Sequence, residues 1–135
     1  MLRSVMLAAA LLAGPLLFAP AAQADTGPSQ TRTISVERRA AGERVLVNLS
    51  ATCPAGATIK VVVTVTAVNE DRIAQGTRQK KADCTGQAQA IELRVERDPV
   101  GAIFKVGPAT ARTVRTVCDS SACEVIPFDE TIRIS

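Results

Sequence analysis

The sequence predicts an all-β protein in which seven or eight short antiparallel strands form a two-layered sandwich with two disulfides. Three observations lead to this prediction. Apolar residues alternate with polar ones in short runs, which Gly, Pro, Asn and Asp separate. No stretch has the apolar repeat of an amphipathic helix. The chain also contains four cysteines, an even number that suits two disulfides in an exported domain.

The first 24 residues predict a secretory signal peptide. Arg3 provides a positive start, residues 5–18 are almost wholly apolar, and Ala22-Gln23-Ala24 has the small residues of a cleavage site. The apolar run is shorter than the ~20 residues of a membrane-spanning helix. We therefore expect cleavage after Ala24, a secreted or extracellular protein, and no membrane span once the signal is removed.

The rest of the chain predicts one domain preceded by a short tail. Residues 25–30 are polar and include Gly and Pro, which is typical of a disordered arm. Residues 31–135 have the ordinary length of a single domain and contain all four cysteines.

The first four strands follow from alternation and composition. Residues 31–36 are a short β-prone run, and residues 43–53 place Val, Leu, Ala and Cys on one face. Residues 57–68 are apolar on both faces in places, which indicates a central strand. Residues 73–84 carry several cations, as an edge strand does to oppose aggregation.

The remaining strands complete the pattern. Residues 87–96 alternate apolar and charged side chains, and residues 103–106 are a short candidate strand before Gly107-Pro108. Residues 109–118 and 123–134 predict a final hairpin, with Pro127 at a bulge or an open edge. This spacing favours an immunoglobulin-like β-sandwich, although the usual buried Trp is absent. A small barrel is the alternative.

The four cysteines allow three disulfide pairings, and we favour Cys53–Cys84 with Cys118–Cys123. The second pair is close in sequence, and a plausible turn lies between its members. The chain has no His and no C-x-x-C spacing, so we interpret the cysteines as structural rather than as metal ligands or redox thiols. We expect no metal and no cofactor.

Composition argues against several function classes. The formal net charge is only +3, and removal of Arg3 lowers it by one, so we expect no nucleic-acid binding. Without His a Ser-His-Asp mechanism is excluded, and the paired carboxylates fall on solvated strand faces, so we expect no enzyme and no catalytic residues. After the signal peptide the only aromatic residues are Phe104 and Phe128, which are candidates to line a pocket.

Four short segments resemble known exported domains. SATCPAG, ADCTGQ, FKVGPATA and the terminal TIRI are similar to segments of small secreted immunoglobulin-like β-sandwich proteins of actinobacteria. The resemblance spans most of the chain after the signal peptide. It implies the same fold and export, and it implies no activity.

The segment VCDSSACEV is similar to the last disulfide hairpin of the enediyne-binding chromoproteins. Those proteins carry a small ligand in a cleft lined by aromatic residues. The resemblance covers one hairpin and implies a small-ligand carrier as an alternative function. Here only Phe104 and Phe128 could line such a cleft, and Cys53 and Cys84 enclose a longer loop than in those proteins.

We expect the protein to be a non-enzymatic binding or interaction module whose partner is an unknown protein or cell-surface polymer, and to be a monomer. The candidate interaction surface is the basic cluster Arg78, Lys80 and Lys81, which other arginines (Arg38, Arg39, Arg112, Arg115) could extend. A secreted protease inhibitor is a further alternative. It requires an exposed, rigid loop that presents Arg78 or Lys80 close to a disulfide.

Overall fold

The computed structural model describes residues 29–135. The predicted signal peptide and residues 25–28 of the predicted arm lie outside these described residues. The last two residues of that arm belong to the fold, because Ser29 is buried and Gln30 begins the first strand.

Seven strands and one turn of 3₁₀ helix make up the described chain. No helix in residues 29–135 is long and apolar enough to cross a membrane. The elements in chain order are β1 (Gln30–Arg39), a 3₁₀ turn (Ala40–Gly42), β2 (Arg44–Thr52), β3 (Thr58–Asn69), β4 (Arg72–Asp83), β5 (Gln89–Glu96), β6 (Gly107–Cys118) and β7 (Cys123–Ile134).

The strands form one sheet in the order β4-β3-β6-β7-β1-β2-β5. All neighbours are antiparallel except β1 and β7, which pair in parallel at Val36 and Ile134. These are both odd-numbered strands of a chain that reverses direction at each connection, so they must run the same way. The sheet folds over until β4 approaches β5, which makes it nearly barrel-shaped.

The predicted all-β fold with seven strands and two disulfides is therefore confirmed. Two details differ from the expectation. The sheet is mixed rather than wholly antiparallel, and its two halves remain joined through β1 and β7. The arrangement thus has features of both the sandwich and the barrel alternative.

The predicted alternation places the core between the two halves of the folded sheet. From β2, Val45, Val47 and Leu49 are buried, and β3 contributes every second residue from Ile59 to Val65. β3 pairs with both β4 and β6, as expected for a central strand. Burial of these branched side chains is the main stabilising contribution, at about 1.5–3 kcal/mol for each large aliphatic residue.

Residues 103–106 do not form the predicted strand. The main-chain N–H of Phe104 donates to the carbonyl of Gly42 at 2.9 Å, and the Phe104 carbonyl accepts from Arg38 Nε at 2.9 Å. Asn69 Nδ2 donates to the Ile103 carbonyl at 3.2 Å. The backbone hydrogen-bonding groups of this segment therefore pair with the 3₁₀ turn and with side chains rather than with a neighbouring strand. The segment places the Phe104 side chain in the core.

β1 separates from β7 at a bulge. Ile34 is the extra residue, and β1–β7 pairing survives only on the C-terminal side of it. Before the bulge, the Glu130 carboxylate of β7 accepts hydrogen bonds from Thr33 Oγ1 at 2.8 Å and from the Thr33 N–H at 3.3 Å. Pro127 lies in this part of β7 with no break in its register to β6, so it marks an open edge rather than a bulge.

Candidate binding site

Both disulfides lie at the same end of the molecule. Cys53 follows β2 and bonds to Cys84, which follows β4, with 5.3 Å between their Cα atoms. Cys118 ends β6 and bonds to Cys123 at the start of β7, directly opposite it in the hairpin register. Both predicted pairings are confirmed. Because even-numbered strands run in the same direction, the ends of β2, β4 and β6 converge there.

A groove of about 480 Å³ opens between two of the loops at this end. One wall is the β2–β3 turn, residues 54–57, and the other is the β6–β7 hairpin, residues 119–124. Ser29 and Val117 complete the lining. Most of these side chains are small, so main-chain atoms and methyl groups form much of the surface.

The first wall is held in place by the long disulfide and by main-chain hydrogen bonds. The N–H of Ala57 donates to the Pro54 carbonyl at 3.1 Å and closes the turn. The N–H of Cys84 donates to the Ala57 carbonyl at 2.9 Å, which ties the turn to the end of β4. Gly56 has φ +88°, a conformation that residues with a side chain rarely adopt.

The second wall is held by the short disulfide and by Asp119. Its Oδ1 atom accepts hydrogen bonds from the N–H of Ser121, the hydroxyl of Ser121 and the N–H of Ala122, each at 2.8 Å. The N–H of Ser121, followed by that of Ala122, lowers the pKa of the Asp119 carboxyl because both stabilise its charged form. Asp119 is thus committed to the turn rather than to a ligand.

Glu124 supplies an uncommitted charge at the groove. Its side chain is exposed and has neither a hydrogen bond nor an ion pair with any other part of residues 29–135. No group of three or more His, Cys, Asp or Glu side chains that could hold a metal occurs in the described part of the chain. What the groove offers chemically is shape, main-chain hydrogen-bonding groups and one free carboxylate, which suits binding.

Both candidate pocket residues lie in the packed interior. Phe104 is fully buried in the core, and Phe128 is 7% exposed on the inner face of β7, opposite Thr113 of β6. Neither side chain lines the groove. Their rings fill space between the two halves of the sheet.

The basic cluster is divided between two faces of β4. Arg78 and Lys80 pair with the inward-facing Val63 and Val61 of β3, yet both remain exposed because β4 is an edge strand. Lys81 points to the outer face. Since the segment is a regular strand, it does not form the exposed loop that the inhibitor hypothesis requires.

The other arginines do not extend this cluster. Arg115 is only 1% exposed and belongs to the interior, where its Nη1 lies 3.4 Å from Thr31 Oγ1. The expectation that Arg115 belongs to a basic face is therefore wrong. Both faces of β6 mix polar and apolar residues, so alternation could not show which face is buried. Arg112 pairs with Asp129 at 3.1 Å on the outer face, and Arg39 pairs with Glu37.

No protein-family model matches the sequence, and no curated protein is detectably similar to it. The resemblances to the actinobacterial domains and to the chromoprotein hairpin therefore stay predictions.

The sequence analysis did not predict the groove, although the positions of the cysteines at the strand ends indicate it. Cys53 and Cys84 close strands two and four, and the Cys118–Cys123 hairpin closes strand six. In a chain whose strands alternate in direction, these three ends must lie together. The cysteine positions relative to strand number thus indicate one reinforced end.

Proposed function

We propose that the protein is an exported, non-enzymatic binding protein that engages a protein partner through its disulfide-braced loop end. The observation that supports this most strongly is that the walls of the groove are each held by a separate disulfide. A loop that is already ordered loses little entropy on binding, so bracing favours affinity. Loops on a rigid β scaffold are a common location for recognition.

The lining indicates which partner fits. Small side chains such as Ala55, Gly56 and Ala122 let another chain approach the backbone closely. The uncommitted carboxylate of Glu124 favours a cation at one end of the groove. The partner we propose is therefore an extended protein segment with a basic residue, bound by a monomer of this protein.

The proposal that the protein is exported rests on the predicted signal peptide and on the two disulfides. Residues 1–24 have the organisation of a signal peptide, and two disulfides with no free cysteine in the described chain are typical of oxidising compartments. The resemblance to the small immunoglobulin-like proteins of actinobacteria also implies export. Such sandwiches present loops at their two ends for binding.

The chromoprotein-like carrier is the second candidate, and the burial of both phenylalanines gives it less support. Phe104 and Phe128 occupy the interior rather than an open cleft. A carrier of this kind needs a cavity that encloses most of its ligand.

The test compares captured partners among three forms of the oxidised protein. The bait is incubated with culture medium and cell-wall extract of the producing organism, and retained species are identified by mass spectrometry. The groove variant Ala55→Arg/Ala122→Arg changes two exposed positions on opposite walls, and Val100→Arg is the control at the far end. We expect one protein that the wild type and the control retain and the groove variant loses.

Other outcomes contradict the proposal. Equal retention of the same proteins by all three forms means that the groove is not the site. If no protein is retained and a small molecule stays with the wild type in native mass spectra, the carrier function replaces the one proposed.

A further inference from the structure

Charge is distributed very unevenly over the seven strands. β3 and β6 contain no acidic residue and β4 contains only Asp83, whereas these three strands carry six basic residues besides the buried Arg115. The rest of residues 29–135 has eight basic and eleven acidic residues. Strands β4, β3 and β6 are adjacent in the sheet. One side of the protein is therefore positive although its net charge is small.

Two lysines lie directly opposite each other on this side. Lys60 of β3 and Lys81 of β4 are partners in the antiparallel register, and both point to the outer face. Neither has a carboxylate within 4.0 Å among residues 29–135. Like charges in this position destabilise a strand pair.

Other cations in the same sheet have acidic neighbours. Arg112 and Asp129 are cross-strand partners with 3.1 Å between Nη1 and Oδ2, and Arg44 and Glu96 are partners with 3.6 Å between Nη1 and Oε1. Arg39 and Arg44 also face each other across β1 and β2, but each has a carboxylate partner, Glu37 and Glu96 respectively. Within residues 29–135 the lysine pair is therefore the facing pair of like charges that lacks any carboxylate partner. A negative ligand between the two ammonium groups would remove the repulsion.

Hydroxyl groups, and no lining carboxylate, accompany the lysine pair. A shallow and mostly apolar depression of about 200 Å³ lies beside the lysines, bordered by Thr58 and Thr116, and no acidic residue lines it. Each ammonium group offers three donors without fixed geometry, and each hydroxyl can add one. Lysine binds phosphate well as a point charge, whereas arginine forks recognise carboxylate and phosphate alike.

Further positive charge continues around the edge of the sheet. Arg78 and Lys80 lie on the other side of β4, and both are exposed. Lys80 Nζ donates to the Glu92 carbonyl at 3.1 Å, while Arg78 has no hydrogen bond or ion pair in the described chain. A linear ligand that crosses the β4 edge would meet all four cations.

We propose that the outer face and edge of β3 and β4 bind a phosphate-bearing polymer, with Lys60 and Lys81 as its anchor. We call this surface, defined by Lys60, Arg78, Lys80 and Lys81, the basic edge. None of these four residues lines the groove, and the proposal does not depend on the groove function. Strands β2 to β6 contain no aromatic residue. The basic edge therefore binds phosphate through charge and does not stack on bases.

The test measures binding of inorganic polyphosphate to the oxidised protein by isothermal titration calorimetry between 50 and 200 mM salt. The variant Lys60→Gln/Lys81→Gln removes the anchor. The control Arg32→Gln/Arg94→Gln removes two exposed arginines on β1 and β5 and has the same net charge. Unchanged circular dichroism and thermal midpoint show that both variants fold.

We expect the anchor variant to bind about tenfold more weakly at 50 mM salt and the control to bind nearly as well as wild type. The slope of log affinity against log salt should become shallower by about 1.4 in the anchor variant, the value for two contacts with a flexible single chain. Lys60→Arg/Lys81→Arg should retain most of the binding.

Three results would overturn the inference. Polyphosphate that fails to bind at 50 mM salt removes the site. Equal losses in the anchor variant and the control mean that net charge alone attracts the polymer. Equal binding of polyglutamate means that the surface does not select phosphate.

Discussion

The carbonyl oxygen of Glu96 on β5 lies 2.1 Å from the position that a Cβ atom on Gly76 of β4 would occupy. These two strands are the ends of the sheet, and Gly76 marks the point where their backbones meet. Beside it, the N–H of Asp98 donates to the Gln75 carbonyl at 2.7 Å. The near-closure of the barrel therefore depends on the absence of a side chain at position 76.

Gly76→Ala should destabilise the protein by about 1–3 kcal/mol, because a methyl group has no space at the closure. The position has no left-handed backbone, so the loss is steric rather than conformational. Chemical denaturation measures it. Gln79→Ala, at an exposed position of the same strand whose side chain makes no hydrogen bond in residues 29–135, should change stability by less than about 0.5 kcal/mol. Equal effects of the two substitutions would refute a closure role for Gly76.

The hydrogen bonds from Thr33 to Glu130 predict a second stability effect. Glu130→Ala should cost about 1.5–3 kcal/mol, the usual value for hydrogen bonds to a charged group. The loss should be concentrated in the first part of β1, where this side chain substitutes for the β1–β7 ladder. Hydrogen exchange of the Thr33 amide should quicken markedly, while that of Val47 in β2 should change far less. Glu130→Gln, which keeps an acceptor, should lose only part of the protection. Uniform exchange changes over β1 and β2 would contradict this local role.

The two disulfides should contribute unequally to stability. In the chain-entropy description, Cys53–Cys84, with a separation of 31, contributes about 4 kcal/mol, and Cys118–Cys123, with a separation of 5, contributes about 2 kcal/mol. Paired Cys→Ala replacements followed by urea denaturation compare them. Alanine avoids placing a hydroxyl at the buried Cys53 and Cys84. The prediction is wrong if removal of the short disulfide costs as much as removal of the long one.

Acidification should loosen the hairpin wall of the groove. The folded pKa of Asp119 is below its ordinary value of 3.8, so the carboxylate stabilises the folded hairpin above that pH. This contribution disappears as the pH falls through the lowered folded pKa. The amide resonances of Ser121 and Ala122 should therefore shift together in an NMR titration from pH 6 to pH 2. Asp119→Asn retains an acceptor but should abolish the titration. A midpoint at or above 3.8 in the wild type would disprove the lowered pKa.

Much of the basic edge could have been predicted from sequence. Period-two alternation alone separates Lys80 from Lys81 onto opposite faces of a strand. The polar turn at residues 70–71 implies that Asn69 faces Arg72, and counting back along both strands brings Lys60 opposite Lys81. Lys60 joins the proposed surface only when the register is followed through the whole hairpin.

Other features had no local signal. The inward direction of Arg115 depends on which face of β6 meets the opposite half of the sheet. Residues 103–106 look like a strand, but no free strand edge reaches them, and their backbone bonds instead with Gly42, Arg38 and Asn69. From sequence, Gly76 is only a glycine inside a strand. Its steric role appears when β5 is seen to pack against it.

The sequence by itself indicated the seven strands, the buried alternation from Val45 to Cys53 and the favoured pairing of the four cysteines. These depend on neighbours along the chain, through side-chain alternation, turn residues and short loops. Only the tertiary structure decided that the sheet nearly closes at Gly76, that Arg115 is interior, and that two disulfides reinforce one groove. Each of these depends on the distance between segments far apart in sequence, which is set by how the whole sheet folds over its core.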